Sequence, residues 1–244
     1  MTGWRGMGRG DDRSSQIQAE CESWGLLGGT FNPPHWGHIQ IAQTAQDQAM
    51  LHRVVWVPAY RPPHRRRESL LPFNHRLAMV QTAIAPYPQF HASDIERDLP
   101  AKSFAIATLS RLQTRYPQVR WYWILGLDAF DSLPRWYQSD RLIPQCTWLI
   151  APRPFSSAPA STISPLAYST ATAMECIQAQ QAHWRTRGID LSWQLLDMQP
   201  IPIASSVVRQ QVRDRQPIDS LVPATVKTYI QQHQLYLPSS QPNN

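Results

Sequence analysis

The chain has 244 residues, of which 42% are apolar, enough for the core of one large domain or two small ones. Its formal net charge of +6 favours an anionic partner, either nucleic acid or a phosphorylated small molecule. Surface charges that only keep the protein soluble would give the same net charge. The apolar runs are of strand length, well short of the roughly 20 residues of a membrane-spanning helix, so no membrane association is expected.

The first 23 residues are basic and polar and lack the apolar centre of a secretory signal. They are predicted to be a flexible extension or the product of an upstream start codon. The three cysteines, Cys21, Cys146 and Cys176, are far apart and form no CxxC pair. Neither a disulfide framework nor a cysteine zinc site is therefore indicated, and a cytoplasmic location is the simplest expectation.

From residue 24 onward, short apolar runs alternate with longer amphipathic stretches. Strands are predicted at residues 24–28, 53–57, 89–92, 119–125, 147–151 and 191–196. Helices are predicted at residues 35–50, 73–85, 103–116, 171–187, 205–214 and 223–232. This order predicts the α/β class: a doubly wound, Rossmann-like parallel sheet with helices on both faces and ligands at the carboxyl ends of its strands.

One domain is predicted over residues 24–237, after the extension at residues 1–23. The polar tail at residues 238–244 is expected to be disordered. The Pro- and Ser-rich stretch at residues 152–165 is predicted to be a long loop within the domain or a weak boundary.

The stretch GGTFNPPHWGH, residues 28–38, follows the first predicted strand. Its glycines permit a tight turn close to a ligand, and its prolines direct the chain into a helix that starts near His35. His35 and His38 face the same side of the first helical turn, where free N–H groups and the helix dipole favour phosphate. The stretch therefore predicts a polyphosphate site; a half-formed metal site and two structural histidines are the alternatives.

This stretch resembles the GGTFDPPHxGH signature of the HxGH nucleotidylyltransferases, with Asn32 in place of the usual Asp. The resemblance runs from about residue 24 to 237 and is closest to the bacterial nicotinate-nucleotide adenylyltransferase family. It implies transfer of the adenylyl group of ATP to nicotinate mononucleotide, giving deamido-NAD and pyrophosphate in NAD biosynthesis. Mg²⁺ would arrive with ATP.

Alternative substrates within this class are nicotinamide mononucleotide, alone or beside the acid, and pantetheine phosphate. A pantetheine-phosphate enzyme would be shorter and would lack the Trp136-Tyr137 pair. A basic nucleic-acid-binding protein is a distant alternative, because the arginines cluster in loops at strand ends and not along one face. A homo-oligomer is left open.

The segment VPAYRPPHRRR, residues 57–67, follows the second predicted strand. Its arginines suit phosphate, which guanidinium groups bind in a bidentate manner, although such a segment is also typical of a solvated basic loop. The resemblance implies that His64 and Arg65 bind the phosphate of the mononucleotide.

The segment SDIERDLPAKSFAIATLSRL, residues 93–112, resembles the family's E-x-x-R and SYT-x-x-TL pattern, with Phe104-Ala105 replacing Tyr-Thr. Glu96 is expected to cap or pair locally, and Ser103 is expected to be a helix N-cap. The replacement leaves backbone groups for the substrate, and the N–H of Ile106 is the candidate to receive its carboxylate.

The segment WYWILGLDAFDSLPRWYQ, residues 121–138, places Gly126 and Asp128 at the end of a buried strand. Asp128 can accept two hydroxyl hydrogen bonds from a ribose, and a helix N-cap is its alternative role. The resemblance implies that Trp136 stacks on the pyridine ring and that the N–H of Tyr137 meets the nicotinate carboxylate. A hydrophobic anchor for the loop is the alternative for Trp136.

The segment PIASSVVRQQVRD, residues 202–214, resembles the family's ISSTxIR motif, with Ala204 in the first Ser position. Its two serines open an amphipathic helix, and hydroxyl and N–H groups at a helix start form a second phosphate cradle. Ser205, Ser206 and Arg209 match the motif.

Together these segments predict an in-line displacement at the α-phosphorus of ATP, driven by alignment and charge stabilisation. The predicted catalytic residues are His35, His38, Arg209 and Thr30. The predicted ATP-binding residues are Gly28, Gly29, Thr30, Phe31, His38, Gly126, Asp128, Ser205, Ser206 and Arg209. The predicted mononucleotide-binding residues are His64, Arg65, Ile106, Trp136 and Tyr137. No dedicated carboxylate cage for a metal ion is predicted.

Overall fold

The structure is a computed structural model that describes residues 21–62, 70–99, 102–152, 170–199 and 202–237, with the main chain alone at residues 170 and 171. Within these ranges no helix is both long enough and apolar enough to span a membrane. The three cysteines are free thiols.

A six-stranded sheet forms the centre of the fold, in the order β3-β2-β1-β4-β5-β6, and each neighbouring pair is parallel. The strands are β1 Glu22–Gly29, β2 Arg53–Pro58, β3 Phe90–Ala92, β4 Val119–Gly126, β5 Thr147–Ala151 and β6 Trp193–Leu195. The doubly wound parallel sheet predicted from the alternating pattern is confirmed. The first strand begins at Glu22, two residues before the predicted start.

The helices connect and flank these strands. They are α1 Trp36–Gln48, α2 Phe73–Ile84, α3 Ala105–Arg115, α4 Leu127–Asp131, α5 Ser139–Leu142, α6 Thr170–Arg185, α7 Ser205–Arg213 and α8 Ala224–Gln232. Short 3₁₀ turns occupy Ile95–Asp98, Leu133–Arg135 and Ile143–Gln145. The six longer helices were predicted, whereas the short pieces were not, because four or five residues carry too little periodicity to reveal a helix.

Both faces of the sheet are buried, which explains the nearly continuous apolar strands. In β2, Val55 and Val57 point into the cluster formed with α3 to α6, whereas Val54 and Trp56 point into the cluster formed with α1, α2, α7 and α8. All four of these side chains are at most 4% exposed. Each fully buried side chain of this size stabilises the fold by about 1.5–3 kcal/mol, so the sheet is a rigid platform for its loops.

The strand order reverses between β1 and β4, which lie side by side at the centre of the sheet. From β1 the chain continues to β2 and β3 on one side, and from β4 it continues to β5 and β6 on the other. The two strands end at Gly29 and Gly126. Such a reversal leaves a crevice at the carboxyl ends of the strands, where ligands of doubly wound folds bind.

Candidate active site

Two cavities occupy this crevice and meet at its centre. The larger has a volume of about 510 Å³ and the smaller of about 180 Å³. Gly28, Leu125 and Ala129 line both of them. A ligand in one cavity therefore reaches a ligand in the other across the ends of β1 and β4.

The smaller cavity lies over the start of α1, where the two predicted histidines come together. His35 is the N-cap residue of α1, and the ring of His38 lies 3.7 Å from its ring, centroid to centroid. The main-chain N–H of His35 donates to Nδ1 of His38 over 3.2 Å. In a neutral imidazole, Nδ1 of His38 is then the acceptor and Nε2 carries the proton. The pair thus adds hydrogen-bond donors to a helix start that already favours anions.

Phe31 anchors the loop that leads to these histidines. Its backbone has φ of 48°, in the left-handed region, which costs a non-glycine residue about 1–2 kcal/mol. Burial of its ring, at 1% exposure, against Trp56 and His38 offsets that cost. A Cβ on Gly29 would lie 3.0–3.3 Å from this ring, so any larger residue there would require the ring to shift by a few tenths of an ångström. Phe31, predicted to bind ATP, places its side chain in the core and leaves its main chain for that role.

Side chains from two distant helices hold the carbonyl groups of the same loop. Each donates one hydrogen bond: Arg76 Nη1 to Thr30 over 2.9 Å, Arg209 Nη1 to Asn32 over 2.8 Å, and Ser205 Oγ to Pro33 over 2.8 Å. The start of α7 is therefore tied to the residues directly before His35. The two predicted phosphate cradles are neighbours, with Ser206 exposed at the second position of α7.

Arg76 is a residue that the sequence analysis missed. Its side chain is 1% exposed within α2, and burial lowers its pKa to about 10, so the guanidinium group stays cationic at neutral pH. It also donates from Nε to the carbonyl of Leu71 over 3.0 Å. No local pattern marks it, because an arginine in an amphipathic helix is normally assigned to the solvent face.

Aromatic rings form the walls of the larger cavity. Trp136 donates from Nε1 to Ser132 Oγ over 2.8 Å and meets Trp123 edge-on at a centroid distance of 6.1 Å. Tyr137, which is 54% exposed, lies against Phe104 with 4.5 Å between the ring centroids. Trp136 and Tyr137, both predicted to bind the mononucleotide, line this cavity, and so does Phe104, the residue directly before α3.

A buried carboxylate connects the wall of the larger cavity to the loop after β2. Glu96 accepts from the N–H of Tyr60 over 2.9 Å and from the hydroxyl of Thr108 over 2.7 Å, and the hydroxyl of Ser103 also contacts it. Burial nevertheless raises the pKa of Glu96 above its usual range. Glu96 was expected to cap or pair locally; its partners Thr108 and Tyr60 instead lie 12 and 36 residues away in the sequence.

The N-cap role predicted for Ser103 and the alternative N-cap role of Asp128 are both wrong. Phe104 is the N-cap residue of α3, and Ser103 accepts instead from the N–H of Arg61 over 2.8 Å. Gly126 is the N-cap residue of α4, which places Asp128 in the first turn. There Asp128 is exposed and lines the smaller cavity, in the position predicted for a ribose ligand.

Only some of the remaining predicted residues line the two cavities. Gly29 and Thr30 line the larger one, next to Gly28, and Gly126 lines the smaller one. The side chain of Ile106 is buried in the core. Its main-chain N–H lies in the first turn of α3, where N–H groups have no carbonyl partner one turn earlier in the helix. His64 and Arg65 lie outside the described residues.

Much of the apolar lining of the smaller cavity was also missed. It includes Leu27, Ile41, Ala151, Pro152, Met198 and Ile203. They suit a flat heteroaromatic ring next to the polar helix start. In the sequence, only the Ala151-Pro152 step at the end of β5 indicated that these residues lie at the crevice, because the segment before α7 has no motif of its own.

Comparison with known proteins places this geometry in a family. Residues 26–211 match the model of the family described as cytidylyltransferase-like. The chain belongs to this family. A probable nicotinate-nucleotide adenylyltransferase of Trichormus variabilis is 39% identical over 216 residues, which cover 88% of this chain and 98% of that protein. A protein of the same name from Synechococcus is 38% identical over 213 residues, 87% of this chain and 94% of that one.

Solved structures share the fold. The nicotinic acid mononucleotide adenylyltransferase of Plasmodium falciparum, complexed with NaAD, superposes with a TM-score of 0.67 over 88% of this chain and 97% of that chain. The same enzyme complexed with APC gives a TM-score of 0.65. Their sequence identities are 15% and 16%, so the likeness establishes the architecture of the sheet and its helices.

Proposed function

We propose that the protein transfers the adenylyl group of ATP to nicotinate mononucleotide and releases deamido-NAD and pyrophosphate. The observation that carries this proposal is the pair of joined cavities, one a helix start with two imidazoles and the other walled by aromatic rings. The relatives that cover nearly the whole chain are named for the same reaction.

The smaller cavity takes ATP. The apolar lining residues of this cavity accommodate the adenine ring, and Asp128, which also lines the cavity, can accept hydrogen bonds from the ribose hydroxyls. The triphosphate then lies over the start of α1, where His35 and His38 donate. Arg209 and the start of α7 supply further positive potential beside the same loop.

The larger cavity takes the mononucleotide. Its pyridine ring packs on Trp136, and its carboxylate meets N–H groups of Tyr137 and of the start of α3. Such donors favour the acid over the amide, because an amide carries no negative charge to stabilise. His64 and Arg65 are the proposed phosphate ligands, as the family resemblance implies.

The reaction is an in-line displacement at the junction of the cavities. A phosphate oxygen of the mononucleotide attacks the α-phosphorus, a new P–O bond forms, and the bond to the bridging oxygen of the β-phosphate breaks. With a second pKa of about 6, the attacking phosphate is mostly a dianion at neutral pH and needs no general base. Thr30, His35, His38 and Arg209 align the phosphates and stabilise charge on the departing pyrophosphate.

Mg²⁺ enters with ATP in this proposal. Near the triphosphate, the smaller cavity supplies one carboxylate, Asp128, and two imidazoles. Among the described residues, no group of three or more His, Cys, Asp or Glu side chains could hold a metal ion. Mg²⁺ prefers several oxygen ligands, which the phosphates and water provide, and its charge offsets that of the pyrophosphate.

A pyrophosphate-release assay with ATP and Mg²⁺ tests the proposal. Nicotinate mononucleotide should support turnover, and nicotinamide mononucleotide should support much less. Nicotinate riboside, which lacks the attacking phosphate, is the matched control and should release no pyrophosphate. Equal turnover with the acid and the amide would support adenylyl transfer but contradict the preference for the acid. Release without any mononucleotide would indicate ATP hydrolysis and contradict the proposal.

A further inference from the structure

Tyr236 lies 204 residues after Asn32 in the sequence, yet its hydroxyl donates to Oδ1 of Asn32 over 2.9 Å. We propose that Tyr236 is a positioning residue for the loop at residues 30–35, which sets the place of His35 at the ATP cavity. It acts through Asn32 and touches no substrate. The inference rests on the proposed adenylyl transfer, and it adds a residue beyond α8 to the machinery of that site.

Asn32 is held at both ends. Its side chain accepts from Tyr236 and its main-chain carbonyl accepts from Arg209 over 2.8 Å, while the residue itself is 4% exposed. Three residues later, His35 opens α1. Because two prolines, with their fixed φ angles, lie between Asn32 and His35, a shift of Asn32 passes along a stiff segment to the imidazole pair.

The charges around Tyr236 fit this role. Burial raises the pKa of its hydroxyl well above the usual range, although the positive charges of Arg209 and Arg76 act to lower it. The hydroxyl therefore stays protonated and can only donate to the Asn32 oxygen. Since the amide of Asn32 is neutral, this contact orders the loop without neutralising Arg209, whose charge is needed for phosphate.

A second tyrosine in the same region provides a control. The hydroxyl of Tyr229, on α8, lies 3.1 Å from Nδ1 of His75, on α2, and lines neither cavity. Tyr229→Phe and Tyr236→Phe each remove one hydroxyl group from the C-terminal part of the described chain. A purely structural role for Tyr236 would make the two variants behave alike in turnover.

We expect Tyr236→Phe to lower kcat/KM for ATP by about 3- to 10-fold, the range for one neutral hydrogen bond. The KM for nicotinate mononucleotide should stay at the wild-type value. Tyr229→Phe should leave both constants unchanged, and thermal unfolding should show that both variants fold. The proposal would be overturned if the two variants had equal kinetics. It would also be overturned if Tyr236→Phe changed kcat/KM for ATP and the KM for nicotinate mononucleotide by the same factor.

A double-mutant cycle isolates the contact itself. In an Asn32→Asp background, which retains an oxygen acceptor, Tyr236→Phe should still lower kcat/KM for ATP. In an Asn32→Ala background, which has no acceptor, the same substitution should have no further effect. An undiminished effect in the alanine background would mean that Tyr236 acts by another route, against the proposal.

An NMR measurement separates this inference from the reaction. With ¹⁵N-labelled histidine, Tyr236→Phe should shift the imidazole signals of His35 and His38, and Tyr229→Phe should shift that of His75 instead. If the wild-type protein makes no deamido-NAD, the proposed reaction fails, and shifted His35 and His38 signals would still support the positioning role. Unshifted signals for both histidines would overturn it.

Discussion

The two cavities share three lining residues, but the groups that would bind their ligands have different origins. In the smaller one, the glycine and histidine groups at the helix start come from one contiguous stretch, residues 28–38, while its other lining residues come from several strands and helices. The larger one is assembled from side chains on β1, β2, β4, α3 and the segments after β2 and α4. Phosphate can be bound by local backbone groups, whereas a wall for an aromatic ring requires side chains that are brought together by the whole fold.

This difference separates the consequences of substitution. Changes at the start of α1 should affect the reacting phosphates, and hence kcat. Changes in the aromatic wall should affect the affinity for the mononucleotide, and hence its KM. Two substitutions test this separation, and a third tests the network behind the aromatic wall.

The largest effect is expected for His38→Ala. Loss of one donor to a charge that develops in the transition state typically lowers kcat about 10²- to 10³-fold, with a smaller change in KM. Steady-state pyrophosphate release at saturating ATP measures this. His183→Ala, at an exposed histidine in the last turn of α6, is the control and should retain wild-type turnover. A kcat near the wild-type value in His38→Ala would rule out the catalytic role.

Trp136→Ala should raise the KM for nicotinate mononucleotide by roughly 10-fold and leave the KM for ATP unchanged. The ring that packs on the pyridine is removed, and an aromatic contact of this kind contributes about 0.5–1.5 kcal/mol beyond the area it buries. Initial rates at varied mononucleotide and fixed ATP measure the effect. Trp136→Phe keeps a ring but loses the hydrogen bond to Ser132, and it should recover most of the affinity. A parallel rise in the KM for ATP would break the proposed division between the cavities.

The smallest effect concerns the stability of the network behind the aromatic wall. Because the pKa of Glu96 is raised in the folded state, this carboxyl favours folding fully below its ordinary pKa of about 4.3 and loses that contribution as the pH rises through the raised value. Glu96→Gln cannot titrate. The free energy of unfolding of the wild type, relative to Glu96→Gln, should therefore fall with rising pH.

Urea unfolding, followed by tryptophan fluorescence at a series of pH values, measures this difference. Glu175→Gln, at an exposed carboxylate on α6, is the control. A difference that stays constant, or that grows with pH, would show that burial does not dominate the Glu96 environment.

Sequence patterns predicted the sheet, the six longer helices and the histidine pair, because each depends on residues that are close together in the chain. Gly28, His35, His38 and Asp128 could be placed at the crevice for the same reason. Arg76 and Tyr236 could not be found this way, since their hydrogen bonds to the loop span 46 and 204 residues. Nothing in an amphipathic helix distinguishes an arginine that turns inward from one that faces solvent.

The hydrogen bonds of Glu96 also could not be predicted from the sequence, although its partners are closer to it along the chain. The segment was recognised, but the partners of its carboxylate depend on how α3 packs beside the loop after β2. Ser103 was assigned as the N-cap of α3, a position that Phe104 occupies, because a helix boundary is uncertain by one or two residues from sequence. Polar side chains near such a boundary can be assigned to the wrong partner for this reason alone.

The hydrogen bonds on the loop at residues 30–33 also have a consequence for synthesis. A ribosome makes the loop first, and three of its donors, on Ser205, Arg209 and Tyr236, are translated about 170–200 residues later. The nascent chain can form β1 and β2 before these donors exist. The ATP cavity is therefore expected to reach its final shape only after α7 and the segment beyond α8 have emerged from the exit tunnel.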